Sequence, residues 1–436
     1  MNYEEARSYV AAVSKTGSIL GLESIKNLMR ELGDVQERLA IIHIAGTNGK
    51  GSTGAFLESV LRHAGKKVGR YTSPAVFEPL EVWRVNGCNI SKEDYAALMT
   101  QVKDACLRMI KKGMTHPTVF EVETALAFLY FYQEKCDYVL LEVGMGGSTD
   151  ATNLITHPVC SVLTSISMDH MQFLGNTLGE IAAAKAGIIK KGCPVVTARQ
   201  REEAMTVIRT TAERLQAPLW VADAKGVAAK MEEDEEEPDK KPWQRMVCYE
   251  YPGVGMVHLA LNGSYQVENS YLAITVLHEV LHIPADVILK GIRNTRWPGR
   301  FETISEDGSF VIDGAHNEDA ALKLRDTVQN YFTNTEITYI IGVLADKEHE
   351  KMLKNMLPFA REVYTVTPPN PRAMTAQALA KEAAKYHDHV TACDSIREAV
   401  YRAVAGKKAD GVILAFGSLS YLAKLKEEYK KGQNNG

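Results

Sequence analysis

The stretch HIAGTNGKGST, residues 43–53, sets Gly46, Gly49 and Gly51 around Lys50 and follows them with Ser52 and Thr53. Glycines beside a lysine at the mouth of a helix suit phosphate. Gly46 and Gly49 let the backbone turn tightly and approach a ligand. A helix starting near Lys50 aims its free N–H groups and positive dipole end at the loop. Lys50 adds a point charge for a β- or γ-phosphate, and Ser52 or Thr53 could reach a metal or a phosphate. The usual phosphate loop reads G-x-x-x-x-G-K-[ST]. Here Ile44 stands at its first glycine and Gly51 at its Ser/Thr position. The same residues could instead form a glycine-rich turn carrying a surface lysine.

Three further side chains could do chemistry. Glu142 closes the apolar run DYVLLEV at residues 137–143. That is the carboxyl end of a strand, where ligands sit in open α/β sheets. A carboxylate isolated there is costly unless something pairs with it. His170, in SMDHMQFLG, read alone is a capping or hydrogen-bonding histidine, an uncommon ligand for a hard cation. Lys185, in EIAAAKAGI, sits in a helix otherwise built from small apolar residues and on composition alone could be a snorkelling surface lysine.

The elements that must position these residues alternate. LAIIHIAG reads as a buried strand and the following GKGSTGAFLESVLRHAG as a helix closed by Gly65. TVFEVETALAFLYFYQEK reads as a helix, DYVLLEVG and CSVLTSI as strands, LGEIAAAKAGIIKKG as a helix and PVVTA as a strand. Such alternation predicts a mostly parallel sheet with helices on both faces. The run KMEEDEEEPDKK at 230–241 reads as a solvated loop, and MVCYEY with MVHLALNG as an antiparallel pair. NTRWPGRFE, 294–302, reads as a linker. SFVIDGA, ITYIIGVL, EVYTVT and GVILAFG then supply the strands of a second, smaller α/β domain. With 436 residues, more than one core is expected. We divide the chain into 1–296 and 297–436.

Composition excludes several classes. A net charge of −4 gives no overall basic field for nucleic acid. The seven cysteines are scattered with no CxxC pair, which points to reduced thiols in the cytoplasm rather than disulfides or zinc. The start, MNYEEARSYV, is too acidic for a signal peptide, and no apolar run reaches membrane-span length.

Other motifs extend the loop. YTSP (71–74), LEVGMGGSTDATN (141–153), SMDHMQFLGNTLGEIAAAKAGI (167–188), WPGRFE (297–302), DGAHN (313–317) and FGSLSYL (416–422) occur in order. Together with GTNGKGS they resemble the Mur ligase superfamily, and within it the folylpolyglutamate synthase and dihydrofolate synthase family. That resemblance implies a P-loop ATPase domain followed by a Rossmann-like glutamate-ligase domain. It implies ATP-dependent ligation of L-glutamate to a folate or dihydropteroate carboxylate through an acyl phosphate. ATP would be held by Gly46, Thr47, Asn48, Gly49, Lys50, Gly51, Ser52, Thr53, Asn269, Arg300 and Asp313. Ser73, Glu142 and His170 would hold Mg²⁺, one of two such ions, with K⁺ as an accessory ion. Lys185 would be carbamylated by CO₂ and, with Lys50 and His316, counts as catalytic. Thr118, Thr149 and Ser418 fall on the substrate side. A monomer without nucleic-acid or membrane partners is implied.

The chain departs from the family where Ala75, Val82 and Ser148 stand for larger or charged residues, all expected on the acceptor side. Two rivals are weighed. A peptidoglycan-type Mur ligase is disfavoured by the Gly-Lys-Gly-Ser loop and by the lack of a UDP-binding domain before residue 40. A P-loop switch or simple NTPase would not need Glu142, His170 and Lys185 together.

Overall fold

The computed structural model describes residues 1–14, 21–232, 240–345 and 349–433. Most of the acidic run read as a solvated loop, residues 233–239, lies outside them.

The larger sheet has eight strands. In spatial order they are Cys88–Asn89, Trp83–Val85, Val68–Tyr71, Tyr138–Glu142, Ile41–Ala45, Cys160–Leu163, Val195–Ala198 and Leu219–Ala222. The six from Val68–Tyr71 onward pair in parallel, and the two at the near edge are antiparallel. Ile41–Ala45 is central and buried at every position, His43 included, as a largely apolar run in a parallel sheet should be. Ile44 pairs with Glu142 and Ala45 with Leu163, so three strands deliver their carboxyl ends to one place. The chain leaves the central strand toward one side and returns on the other, which puts a crevice at that end.

Helix Lys50–His63 starts directly from this crevice. Helix Ala285–Arg293 packs on it so closely that a Cβ on Gly291 would lie 2.5 Å from Cα of Val60. Antiparallel strands Val247–Tyr251 and Gly255–Leu259 form the expected pair, joined on one side by Lys230–Met231. The helix read over 178–192 ends at Ala186. Asn153 Nδ2 donates to the Gly187 carbonyl at 3.1 Å and so occupies the acceptor that a further turn would need.

The second sheet orders Glu302–Thr303, Phe310–Ile312, Val412–Phe416, Ile337–Ile341, Glu362–Thr365 and Val390–Ala392. Glu302–Thr303, read as the end of a linker, is an antiparallel edge strand on Phe310–Ile312. The linker is also not loose, since Phe301 is 3% exposed. It belongs to one apolar cluster that runs from Ile42 and Phe56 in the first part to Tyr339 and Phe416 in the second. Among the described residues no helix is long and apolar enough to cross a membrane.

Candidate active site

The loop after the central strand is built by close backbone approaches. Gly46 has φ 153° and a Cβ there would lie 1.8 Å from Oγ1 of Thr164. Gly49 has φ 91° and a Cβ would lie 2.3 Å from Oδ1 of Asn269. Neither position tolerates a side chain, so glycine is fixed by space as well as by torsion. Thr47 anchors the loop sideways: its N–H donates to the Ser165 carbonyl at 2.8 Å and its hydroxyl to the Ser167 carbonyl at 3.1 Å. Lys50 folds back across the loop, with Nζ 3.2 Å from the Gly46 carbonyl and 3.4 Å from that of Thr47. The cation therefore sits over the concave side, where a phosphate would lie.

One cavity collects most of the residues singled out in the sequence. Gly46, Thr47, Asn48, Gly49, Lys50, Gly51, Ser52, Ser73, Glu142, His170, Lys185, Asn269, Arg300, Asp313 and His316 all line it. Glu142 is 8% exposed, and among the described residues no side chain hydrogen-bonds or ion-pairs with its carboxylate. Burial raises its pKa; Lys50, Arg70 and Arg300 pull it back. A buried carboxylate facing a cavity without a partner is costly unless a cation arrives. With the Ser73 hydroxyl and His170, it suits an ion that keeps water and phosphate ligands, as Mg²⁺ does. Among the described residues no cluster of three or more His, Cys, Asp or Glu side chains is gathered, so an all-protein metal cage is not what this site offers.

Lys185 is 4% exposed, which removes the snorkelling reading. Its Nζ donates to the Gly46 carbonyl at 2.9 Å. Burial, and then the nearby Lys50, push its ammonium down to about 7. Burial thus favours the neutral amine.

The second domain contributes from above. Asp313 accepts from the Tyr265 hydroxyl at 2.6 Å, from the Phe301 N–H at 2.9 Å and from the Ala315 N–H at 2.8 Å. His316 Nδ1 lies 2.8 Å from the Gly314 carbonyl. Ser52 accepts from Gln266, which also accepts from Asn269, so one helix braces the loop.

Four expected residues stand elsewhere. Thr53 is fully buried behind the loop and its hydroxyl has no partner among the described residues. Thr118 caps helix Val119–Gln133 in a reciprocal box with Glu121 and lines a separate groove. Thr149 is exposed in the turn after Glu142. Ser418 is buried and caps the short helix Leu419–Tyr421. Of the three departures, Val82 is 8% exposed in the apolar core, so it does not face an acceptor as expected. Its neighbour Glu81 accepts from the N–H groups of Val76, Phe77 and Glu78 and holds Arg84 at 3.3 Å, fixing the loop after Ser73. Ala75 packs at the edge of that core and Ser148 is exposed.

Arg70 was not singled out in the sequence. It is 2% exposed, pairs with Glu58 at 3.1 Å, donates to the Gly51 carbonyl and lies 4.0 Å from the ring centre of Trp297. It therefore fastens the linker beneath the phosphate loop. Strand residue VGRY gave no sign of this, because all its partners are distant in sequence.

The comparisons agree with this geometry. The Mur ligase middle domain matches residues 44–277, and the Mur ligase glutamate ligase domain matches 299–419. A dihydrofolate synthase/folylpolyglutamate synthase of Bacillus subtilis is 36% identical over 98% of this chain and 99% of its own. The chain belongs to the folylpolyglutamate synthase and dihydrofolate synthase family of Mur ligases. It is thus an ATP-dependent glutamate ligase. A folylpolyglutamate synthase of Lacticaseibacillus casei is 34% identical over 86% of this chain and 87% of its own. The structure of a Mycobacterium tuberculosis folylpolyglutamate synthase complexed with ADP superposes with TM-score 0.88 at 26% identity, covering 98% of this chain and 99% of that one. E. coli FolC in complex with DHPP and ADP superposes with TM-score 0.84 at 28% identity, covering 98% of each.

Proposed function

We propose that this ligase joins L-glutamate to the carboxylate of a folate or a dihydropteroate. Residues 1–296 would serve as the ATP-binding part and 297–436 as the glutamate part. The observation that carries the reading is the convergence of Lys50, Glu142, His170 and Lys185 with Arg300, Asp313 and His316 on one cavity between the two sheets.

Lys50 and the first N–H groups of helix Lys50–His63 would receive the phosphates. Arg300, Asp313 and Asn269 would hold the nucleotide from the other side. The acceptor carboxylate attacks the γ-phosphorus, the bond to ADP breaks, and an acyl phosphate forms. The glutamate amine then attacks the acyl carbon, phosphate leaves with the bonding electrons, and the amine gives up a proton. Glu142, Ser73 and His170 would hold Mg²⁺, which when bound would offset charge on the transferring phosphoryl group. A second Mg²⁺ and K⁺ are part of the same proposal.

Lys185 is buried, and burial favours the neutral form of the amine that carbamylation requires. Its nitrogen would bond to the carbon of CO₂ and lose one proton, leaving an anion beside the loop. The enzyme would work as a cytoplasmic monomer on small molecules alone.

The test is one assay. Purified protein receives ATP, Mg²⁺ and L-glutamate with tetrahydrofolate or dihydropteroate in turn. ADP and the new amide should appear one for one with at least one acceptor. ADP release independent of acceptor and glutamate would overturn the reading in favour of an NTPase.

A further inference from the structure

We propose that Asn317 is a positioning residue, whose amide ties the second domain to the phosphate loop and to the His170 loop and so holds the site closed around the acyl phosphate. The inference rests on the ligase reading above.

Asn317 is 5% exposed and caps helix Glu318–Tyr331, its Oδ1 accepting from the Ala320 N–H at 2.9 Å. That cap fixes which end of the amide is oxygen. The same Oδ1 accepts from Asn48 Nδ2 at 3.2 Å, and Asn317 Nδ2 donates to Asn48 Oδ1 at 3.1 Å. The second hydrogen of Nδ2 goes to Asp169 Oδ2 at 3.2 Å. Both donors and both acceptor positions of the amide are used. Asn48 Nδ2 also reaches Asp319 Oδ2 at 2.9 Å, and Asp169 Oδ1 accepts from the His170 N–H at 2.8 Å. One side chain thus joins three segments that all line the cavity, across 269 and 148 positions of sequence.

The choice of asparagine is informative. Aspartate or serine would cap the helix about as well. Here, however, the side chain faces the Asp169 carboxylate, with that of Asp319 bonded to the same Asn48 amide, so the second role needs a neutral donor. A buried, fully bonded Asn317 amide joined to a half-buried Asn48 amide is stiffer than an exposed pair. Opening it would admit water along the seam between the domains, and water competes with glutamate for the acyl phosphate.

The test compares wild type, Asn317→Ser and Asn317→Asp. Both variants keep the cap oxygen; the first loses the reach and the second adds a like charge. Melting temperature, kcat, the KM for ATP, and the ratio of ADP to amide are measured with the acceptor that wild type uses. We expect melting temperatures within a few degrees of wild type and a KM for ATP within about threefold. Amide kcat should fall about tenfold or more, since Asn317→Ser gives up three half-buried hydrogen bonds. ADP should exceed amide by about threefold or more, and Asn317→Asp should be the worse variant. One-for-one coupling with wild-type kcat in both variants overturns the proposal, as does a fall in kcat matched by a fall in melting temperature with coupling intact. The seam is also read without turnover, by amide hydrogen exchange of the ADP-bound protein. Residues 46–49 and 165–170 should exchange at least about fivefold faster in Asn317→Ser. Unchanged exchange overturns the proposal whatever the acceptor proves to be.

Discussion

At the scale of single residues, the site separates groups that serve chemistry from groups that serve folding. Among the described residues no side chain hydrogen-bonds or ion-pairs with the buried Glu142 carboxylate, and burial outweighs the pull of Lys50, Arg70 and Arg300, so removing its charge should not weaken the fold. Glu142→Gln is expected to melt at or slightly above the wild-type temperature and to lose ligation by about a hundredfold or more, the usual scale for a group that stabilises transferring charge. Calorimetry and a ligation assay check both halves, and a variant that keeps most of its activity removes Glu142 from the site. Lys185 makes a prediction in pH. Its folded ammonium is held near 7 by burial and by Lys50, below the ordinary lysine value of about 10.4. The unfolded chain therefore binds more protons between these values, and the unmodified lysine costs the fold stability that is regained as pH rises from about 7 toward about 10. The neutral amine, and with it carbamate, should increase as pH passes upward through about 7. Carbon-13 NMR in labelled bicarbonate should show a carbamate signal that grows from pH 6 to 8 and is absent in Lys185→Ala. A signal of equal size in that variant would place the carbamate on another amine.

At the scale of elements, the phosphate loop is held by fit against its neighbours. Gly49→Ala would force Asn269 away and impose a left-handed torsion on alanine, a strain of about 1–3 kcal/mol. Because Asn269 lines the cavity and is proposed to hold the nucleotide, the KM for ATP should rise together with the loss of stability. Gly291→Ala provides the contrast. It strains the packing of helix Ala285–Arg293 on Val60, away from the cavity, and should lower the melting temperature with little change in KM. Equal kinetic effects from the two variants would mean that helix seating, not loop geometry, controls the site. These elements differ in how legible they were. Ile41–Ala45 announced itself as a largely apolar run despite His43, and the glycines around Lys50 announced a phosphate turn. The capping box of Thr118 with Glu121 was not read in the sequence, where family likeness placed Thr118 with the substrate, although its T-x-x-E spacing is the local signal for one. Arg70 was illegible, since a lone arginine in a short strand looks like an edge residue until Glu58 and Trp297 close over it. Asp169 and Asn317 stood inside quoted motifs, yet their joint role depends on a contact across 148 positions that no local pattern encodes.

At the scale of the whole molecule, the two sheets share a core and a buried carboxylate. The apolar cluster from Phe56 through Phe301 to Phe416 crosses the linker, which favours one cooperative unfolding transition. Asp313 reinforces that coupling. It directly follows strand Phe310–Ile312 of the second sheet, yet it accepts from Tyr265 on a helix of the first domain and from Phe301 in the linker. Family likeness assigns it to ATP, but its hydrogen bonds give it a structural duty as well. Asp313→Ala would leave the Tyr265 hydroxyl and two N–H groups without their acceptor. Each unsatisfied buried donor costs about 1–3 kcal/mol. The variant should therefore lose several kcal/mol of stability, in contrast to Glu142→Gln, and its transition should broaden or split as the two domains uncouple. Tyr265→Phe removes only one of the three bonds and should shift the melting temperature by a smaller amount in the same direction. Scanning calorimetry decides between the two roles. If Asp313→Ala melts as wild type does while its KM for ATP rises, Asp313 serves the nucleotide alone and the domains are held together by the apolar cluster.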